Sequence, residues 1–144
     1  MQIKNIRLLN FGSITAINEA RTLNKESLTG YFLHSDRIKF INHKDTLEGK
    51  IGLSFGVEYY LEGFNTKSKL EDVHFISKII HPLLTNPVNK ENTTETLEQK
   101  YDYLNQINYD YFSFEYDWEI KPGLWIFQLI EANTILFEKV FNII

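Results

Sequence analysis

The stretch Phe112-Ser113-Phe114-Glu115-Tyr116-Asp117-Trp118-Glu119-Ile120 alternates apolar and polar side chains without a break. Successive side chains on a strand leave opposite faces of the pleat, so this period of two predicts a half-buried β-strand. Phe112, Phe114, Tyr116, Trp118 and Ile120 would face inward, and Ser113, Glu115, Asp117 and Glu119 outward. Lys121-Pro122-Gly123 then reads as a turn, because Pro presets φ and Gly accepts a positive one. Residues 124–130 follow as an apolar strand and residues 136–143 as the last strand.

Working outward, the same alternation recurs over residues 53–61, with Phe55, Val57, Tyr59 and Leu61 inward and Ser54, Gly56, Glu58 and Tyr60 outward. Residues 2–20 read as one long extended segment, broken near Phe11-Gly12, where a glycine inside a strand pattern signals a bulge. Residues 21–30 are polar and read as a loop, 31–33 and 37–41 as short strands, and 42–47 as a turn. A polar turn is expected over 63–68 and a strand over 73–80, ended by His81-Pro82 because Pro cannot continue the ladder. Residues 86–96 read as a loop. Beyond it Leu97, Tyr101 and Leu104 sit at helical spacing, whereas Leu97, Gln99, Tyr101 and Tyr103 sit at strand spacing. One short helix near 95–106 therefore stays open beside the strand. Strands separated by turns at this frequency point to an all-β chain, a single-domain immunoglobulin-like antiparallel β-sandwich over residues 1–144.

Composition agrees. A chain of 144 residues that is 43% hydrophobic and 24% charged suits one globular domain. A domain of that size buries roughly 70% of the surface it exposes unfolded. Phe and Tyr are abundant, at 11 and 8 residues, which favours strands. With no Cys there is no disulfide, zinc–thiolate site or thiol nucleophile. The start lacks the apolar core of a signal peptide, and no stretch is long and apolar enough to span a bilayer as a helix, so a cytoplasmic location is expected. The net charge of −4 is uneven. Residues 1–50 sum to +3, whereas residues 91–119 hold eight acids and one base, Lys100. Phosphate binding needs clustered Lys and Arg, so nucleic acid is a poor partner for the second half. The plain reading is that the two halves neutralise each other across neighbouring strands. The sharper one is an acidic face for a basic partner.

Two stretches, residues 55–63 (FGVEYYLEG) and 117–127 (DWEIKPGLWIF), together with the ending 136–143 (LFEKVFNI), resemble an uncharacterised bacterial family, domain of unknown function 3859. The resemblance implies a β-sandwich whose last two strands carry the Pro-Gly-x-Trp-x-Phe and Lys-x-Phe-x-Ile patterns. It brings no catalytic residues.

No motif carries evident chemistry. Glu115, Asp117 and Glu119 would lie on one strand face about 6.5–7 Å apart, a spacing that an acid–base pair or hard cation could use. An outward stripe is ordinarily solvated, and catalysis needs one acid desolvated. The histidines, His34, His43, His74 and His81, form no metal-ligand spacing, and His74 and His81 should face opposite sides of one strand. Gly52-Leu53-Ser54-Phe55-Gly56 matches a nucleophile elbow in letters only, since it runs straight into a strand. No metal and no cofactor are expected. The aromatic cluster Tyr101, Tyr103, Tyr109, Tyr111, Phe112, Phe114, Tyr116 and Trp118 exceeds what one core face requires, and Tyr is favoured at recognition surfaces. The expectation is a non-catalytic binding protein, of immunity or inhibitor type. Tyr101, Tyr103, Tyr109, Tyr111, Glu115, Asp117 and Glu119 would meet a basic protein partner, with neither nucleic acid nor membrane involved. The strand holding Trp125 is apolar on both faces, so a homodimer that covers it is also expected. Two alternatives stay open: a carbohydrate- or small-ligand-binding sandwich using exposed rings such as Trp125 or Tyr103, and a carboxylate-based hydrolase.

Overall fold

A computed structural model describes residues 1–65 and 71–144. Its strands are β1 (Ile3–Ile17), β2 (Ala20–Leu23), β3 (Tyr31–His34), β4 (Arg37–Phe40), β5 (Thr46–Leu47), β6 (Ser54–Gly63), β7 (Asp72–Thr85), β8 (Asn92–Tyr103), β9 (Gln106–Ser113), β10 (Gly123–Glu131) and β11 (Thr134–Ile143). One sheet has the order β4-β1-β6-β9 and the other β5-β11-β10-β7-β8, while β2 and β3 pair with each other as a separate ribbon. The neighbours are antiparallel except β5, which joins β11 in parallel. The result is the expected all-β sandwich.

The core follows from the alternation. On β6, Phe55, Val57, Tyr59 and Leu61 are fully buried. They face Val73, Phe75 and Ile79 of β7, Trp125, Phe127 and Leu129 of β10, and Phe141 and Ile143 of β11. Phe55 sits at the centre, with ring centroids 5.5 Å from Phe114, 5.9 Å from Trp125, 5.8 Å from Phe127 and 5.3 Å from Phe141. Trp125 is thus wholly inside, and its indole N–H donates to the Lys121 carbonyl at 3.0 Å. It provides no exposed stacking platform, while Leu124 on the other face of the same strand is 57% exposed.

Several boundaries differ from the sequence reading. The alternating run 112–120 is not one strand: β9 stops at Ser113 and residues Asp117–Glu119 form a single 3₁₀ turn. The Glu119 carboxylate bends back onto the chain and takes the place of the ladder. The strand β7 continues through His81-Pro82 to Thr85, and a register shift against β8 between Ile80 and Leu84 accommodates the proline that has no N–H to give. The loop expected over 86–96 closes by Asn92, and residues 92–103 are strand rather than helix. Residues 21–23, expected in a loop, pair with β3, and Thr46–Leu47, expected in a turn, join β11. The register shifts of β1 fall between Ile3 and Asn5 and between Leu8 and Asn10, not at Gly12. Gly12 instead marks a crossing. From Ile14 onward β1 leaves β6 and pairs with β4, and a Cβ at Gly12 would stand 2.1 Å from the Asn42 carbonyl oxygen. The polar turn expected over residues 63–68 lies partly outside the described residues.

Gly56 has an equally tight neighbour. A Cβ there would meet the Asp110 carbonyl oxygen at 2.1 Å and Tyr111 Cα at 2.7 Å, both backbone atoms that cannot swing aside. Gly56→Ala should therefore push β9 away from β6 and cost at least about 2 kcal/mol. Urea unfolding checks this, and a variant within 0.5 kcal/mol of the parent, roughly the noise of a surface change, would show the seam to be slack.

Candidate functional site

The ladder between β1 and β4 ends at Ile17 and Arg37 and resumes at Ala20 and His34 as β2–β3. Between them Asn18 adopts a positive φ of 54°, and its side-chain amide donates to Asp36 Oδ2 at 2.9 Å. Asn tolerates the left-handed region better than most residues, which makes this a bend in one long hairpin. Among the described residues the distal half makes no backbone hydrogen bond to either sheet. Side chains hold it instead. The Tyr31 hydroxyl donates to Glu115 Oε1 at 2.9 Å, Arg21 pairs with Glu115 Oε2 at 3.2 Å, and the Tyr111 hydroxyl donates to Glu19 at 3.0 Å. The Tyr109 hydroxyl donates to the Ser35 carbonyl, and Asn86 donates from β7's end to the Leu28 carbonyl at 3.1 Å. His34 Nε2 lies 2.7 Å from Glu98 Oε1.

The hairpin roofs a cleft of about 80 Å³ where the sandwich opens between β8 and β9. Leu28, Phe32 and Leu33 close it from above, and Ile79, Leu84, Phe112 and Trp118 make an apolar floor. Ser77, Thr96, Glu98, Asp110, Glu115 and Glu119 add polar groups to its wall. Beside it runs a polar seam. Asp110 accepts from the buried Tyr59 hydroxyl at 2.7 Å and from Lys100 Nζ at 2.8 Å, while Asn108 donates to Asp102. Burial alone would lower the Lys100 pKa, but attraction to Asp110 and Glu98 outweighs it and the pKa rises. Burial, with Asp110 beside it, raises that of Tyr59. Burial also lifts the Tyr31 and Tyr111 hydroxyls, so both remain donors at neutral pH.

Glu119 is the unusual group. It is only 4% exposed, and its Oε1 accepts from the backbone N–H of Glu115 at 2.9 Å and of Tyr116 at 3.0 Å. Those bonds favour the ionised carboxylate. Desolvation opposes them more strongly and carries the pKa up to about 7. His81 is another buried titratable group nearby. Its ring lies 5.0 Å from Trp125 and is held between the Pro82 carbonyl and Thr96 Oγ1, with burial lowering its pKa.

The residues singled out from sequence do not share one face. By the strand registers Tyr101 and Tyr103 sit on β8 opposite the solvent-facing His74 and Asp72, and Tyr101 stacks on His74 with centroids 4.7 Å apart. Tyr109 and Tyr111 belong to the other sheet and hold the hairpin. Glu115 is tied to Tyr31 and Arg21, Asp117 is exposed, and Glu119 is inside. The continuous acidic stripe is therefore absent. Four of the acids in residues 91–119 meet a basic side chain from a neighbouring element: Glu95 with Lys78, Glu98 with His34, Asp110 with Lys100, and Glu115 with Arg21. Half of the eight acids in that segment are thus answered within the fold, and only Glu115 is answered by a Lys or Arg of the basic first fifty residues. No cluster of His, Cys, Asp or Glu able to hold a metal occurs among the described residues. Sequence reasoning missed Leu28, Phe32, Thr96 and Lys100. The first two lie in or beside a stretch read as loop, and the last two sit on a strand whose polar side faces inward.

Since Glu119 keeps its proton in the fold up to about pH 7, whereas the unfolded chain loses it near 4.5, rising pH across that window favours unfolding. The linked loss is on the order of 3 kcal/mol and is complete above pH 7. Glu119→Gln keeps an acceptor for both N–H groups and cannot ionise. Relative to the parent, its stability should rise between pH 5 and 8 in urea titrations. Parallel pH profiles for the two proteins would sink this account.

No family model matches this chain, and no curated protein matches it. Among solved structures it is similar to an immunoglobulin-like protein from Pseudomonas aeruginosa, with a TM-score of 0.64, 14% identity and 97% of each chain covered. At that identity the likeness establishes the fold: an immunoglobulin-like β-sandwich.

Proposed function

We propose that this chain is a non-catalytic binding module that holds a small ligand in the cleft beneath β2–β3. The observation that carries this reading is the roof itself. A hairpin attached by side chains alone covers an apolar-floored cleft with polar groups in its wall, so the site can open without breaking a sheet. Ligand sites of this type join apolar walls to a few placed polar groups. We also infer membership in the uncharacterised family that residues 55–63 and 117–127 resemble, supported by the immunoglobulin-like fold.

Of the four tyrosines expected at that contact face, Tyr101 and Tyr103 are exposed, 77% and 42% accessible. Their distance in the fold from Glu115–Glu119 weakens the idea of one acidic, Tyr-rich contact face. The hydrolase reading has Glu119 in its favour, a carboxyl titrating near neutrality at a cleft. Against it, Oε1 is committed to two backbone N–H groups, and the other carboxylates lining the cleft each face a basic side chain.

Nuclear magnetic resonance titration with a library of compounds of a few heavy atoms tests the proposal. Binders should shift the methyl groups of Leu28, Ile79 and Leu84 together with the Trp118 indole N–H. If no compound moves them while the protein stays folded, the cleft is not a ligand site.

A further inference from the structure

Charge around the cleft is one-sided. Glu98 from β8, Asp110 from β9, Glu115 and Glu119 line it together with the Tyr31 and Tyr111 hydroxyls, and no Lys, Arg or His does among the described residues. Three of these carboxylates are answered from outside the cleft, Glu98 by His34, Asp110 by Lys100 and Glu115 by Arg21. Glu119 is not. Its partners are two backbone N–H groups, both on Oε1, and its Oε2 accepts no hydrogen bond among the described residues. A carboxylate this deeply buried and without a counter-charge is costly, and a cation that enters the site removes the cost. The neighbouring surface fits a cation with an apolar body. Trp118 and Phe112 offer aromatic surface, and Ile79, Leu84 and Leu28 offer aliphatic contact.

We propose that the cleft binds a primary ammonium on a short apolar body, with the ammonium donating to Glu119 Oε2 and the body lying against Trp118, Phe112 and Ile79. This rests on the cleft being a ligand site, and it assigns the class of ligand. The space of about 80 Å³ admits a head of a few heavy atoms, and a longer body would emerge beneath the hairpin rim. Binding requires ionised Glu119, so its proton leaves to solvent as the ammonium enters.

The probes are n-butylammonium, butan-1-ol and butanoate, titrated at pH 8 and followed by the Leu28, Ile79 and Leu84 methyl signals and the Trp118 indole. The ammonium should bind at least about tenfold more tightly than the alcohol, as expected for a desolvated charge pair, and the carboxylate should not bind. Because Glu119 holds its proton below pH 7, the ammonium should lose at least about tenfold in affinity between pH 8 and 5.5 while the alcohol does not. Glu119→Gln should abolish the preference for ammonium over alcohol. Equal binding of ammonium and alcohol by the parent protein, or a preference that survives Glu119→Gln or pH 5.5, overturns the ammonium assignment and leaves a neutral-ligand cleft standing. Failure of all three probes to move these signals overturns the cleft as well. The pH comparison needs only the parent protein, so it decides the matter even if the variant does not fold.

Discussion

Phe55 is the point at which the two sheets are locked. Its ring meets Trp125 nearly perpendicular, at 84°, and Phe127 and Phe141 at 65° and 68°. Edge-to-face contacts of this kind contribute about 0.5–1.5 kcal/mol each beyond the apolar area they bury. They also have directional preference, which simple burial lacks. One side chain of β6 therefore fixes the spacing and rotation of the opposite sheet through β10 and β11. Phe114 and Phe112 extend the cluster to the end of β9, where the chain leaves the ladder.

Away from this aromatic cluster the interior changes character. Toward β8 and β9 the inward positions become Thr96, Glu98, Lys100, Asn108 and Asp110, and the seam is hydrogen-bonded rather than oily. A buried ion pair such as Lys100–Asp110 rarely stabilises a fold more than apolar packing would. Here it has the Tyr59 hydroxyl as a further donor, so the Asp110 carboxylate is well satisfied. The polar seam leaves one side of the sandwich without an apolar seal, and the bent hairpin covers that side. Fold and cleft thus share one cause: the inner faces of the two edge strands are polar.

How much of this was legible depends on which face a residue occupies. The alternation on β6 gave its buried side chains correctly, because Phe55, Val57, Tyr59 and Leu61 are apolar where the core is apolar. Residues 112–120 misled for a related reason. A 3₁₀ turn capped by Glu119 places Phe114 and Trp118 against the core as a strand would, but it turns Tyr116 outward and Glu119 inward, so only part of the expected pattern survives. Sequence periodicity registers burial, and only indirectly the ladder. On β8 the signal inverted: the Tyr residues at strand spacing face solvent and the charged ones face in, which no rule based on hydrophobicity predicts. The hairpin's role was illegible because Asn18, Glu19 and Ser35 act through a bend and through partners more than seventy residues away.

The attachment of that hairpin divides the molecule into regions with different energies of opening. Amides on β6 lie between two neighbouring strands and a fully buried core, so their exchange with solvent requires the whole sandwich to come apart. Amides of β2–β3 are bonded only within the ribbon, and its anchors are a handful of phenol, guanidinium and imidazole contacts at the rim. The ribbon can therefore lift as a small cooperative unit while the aromatic interior stays closed. Lifting the ribbon widens the cleft that Glu119 lines and leaves the sandwich folded.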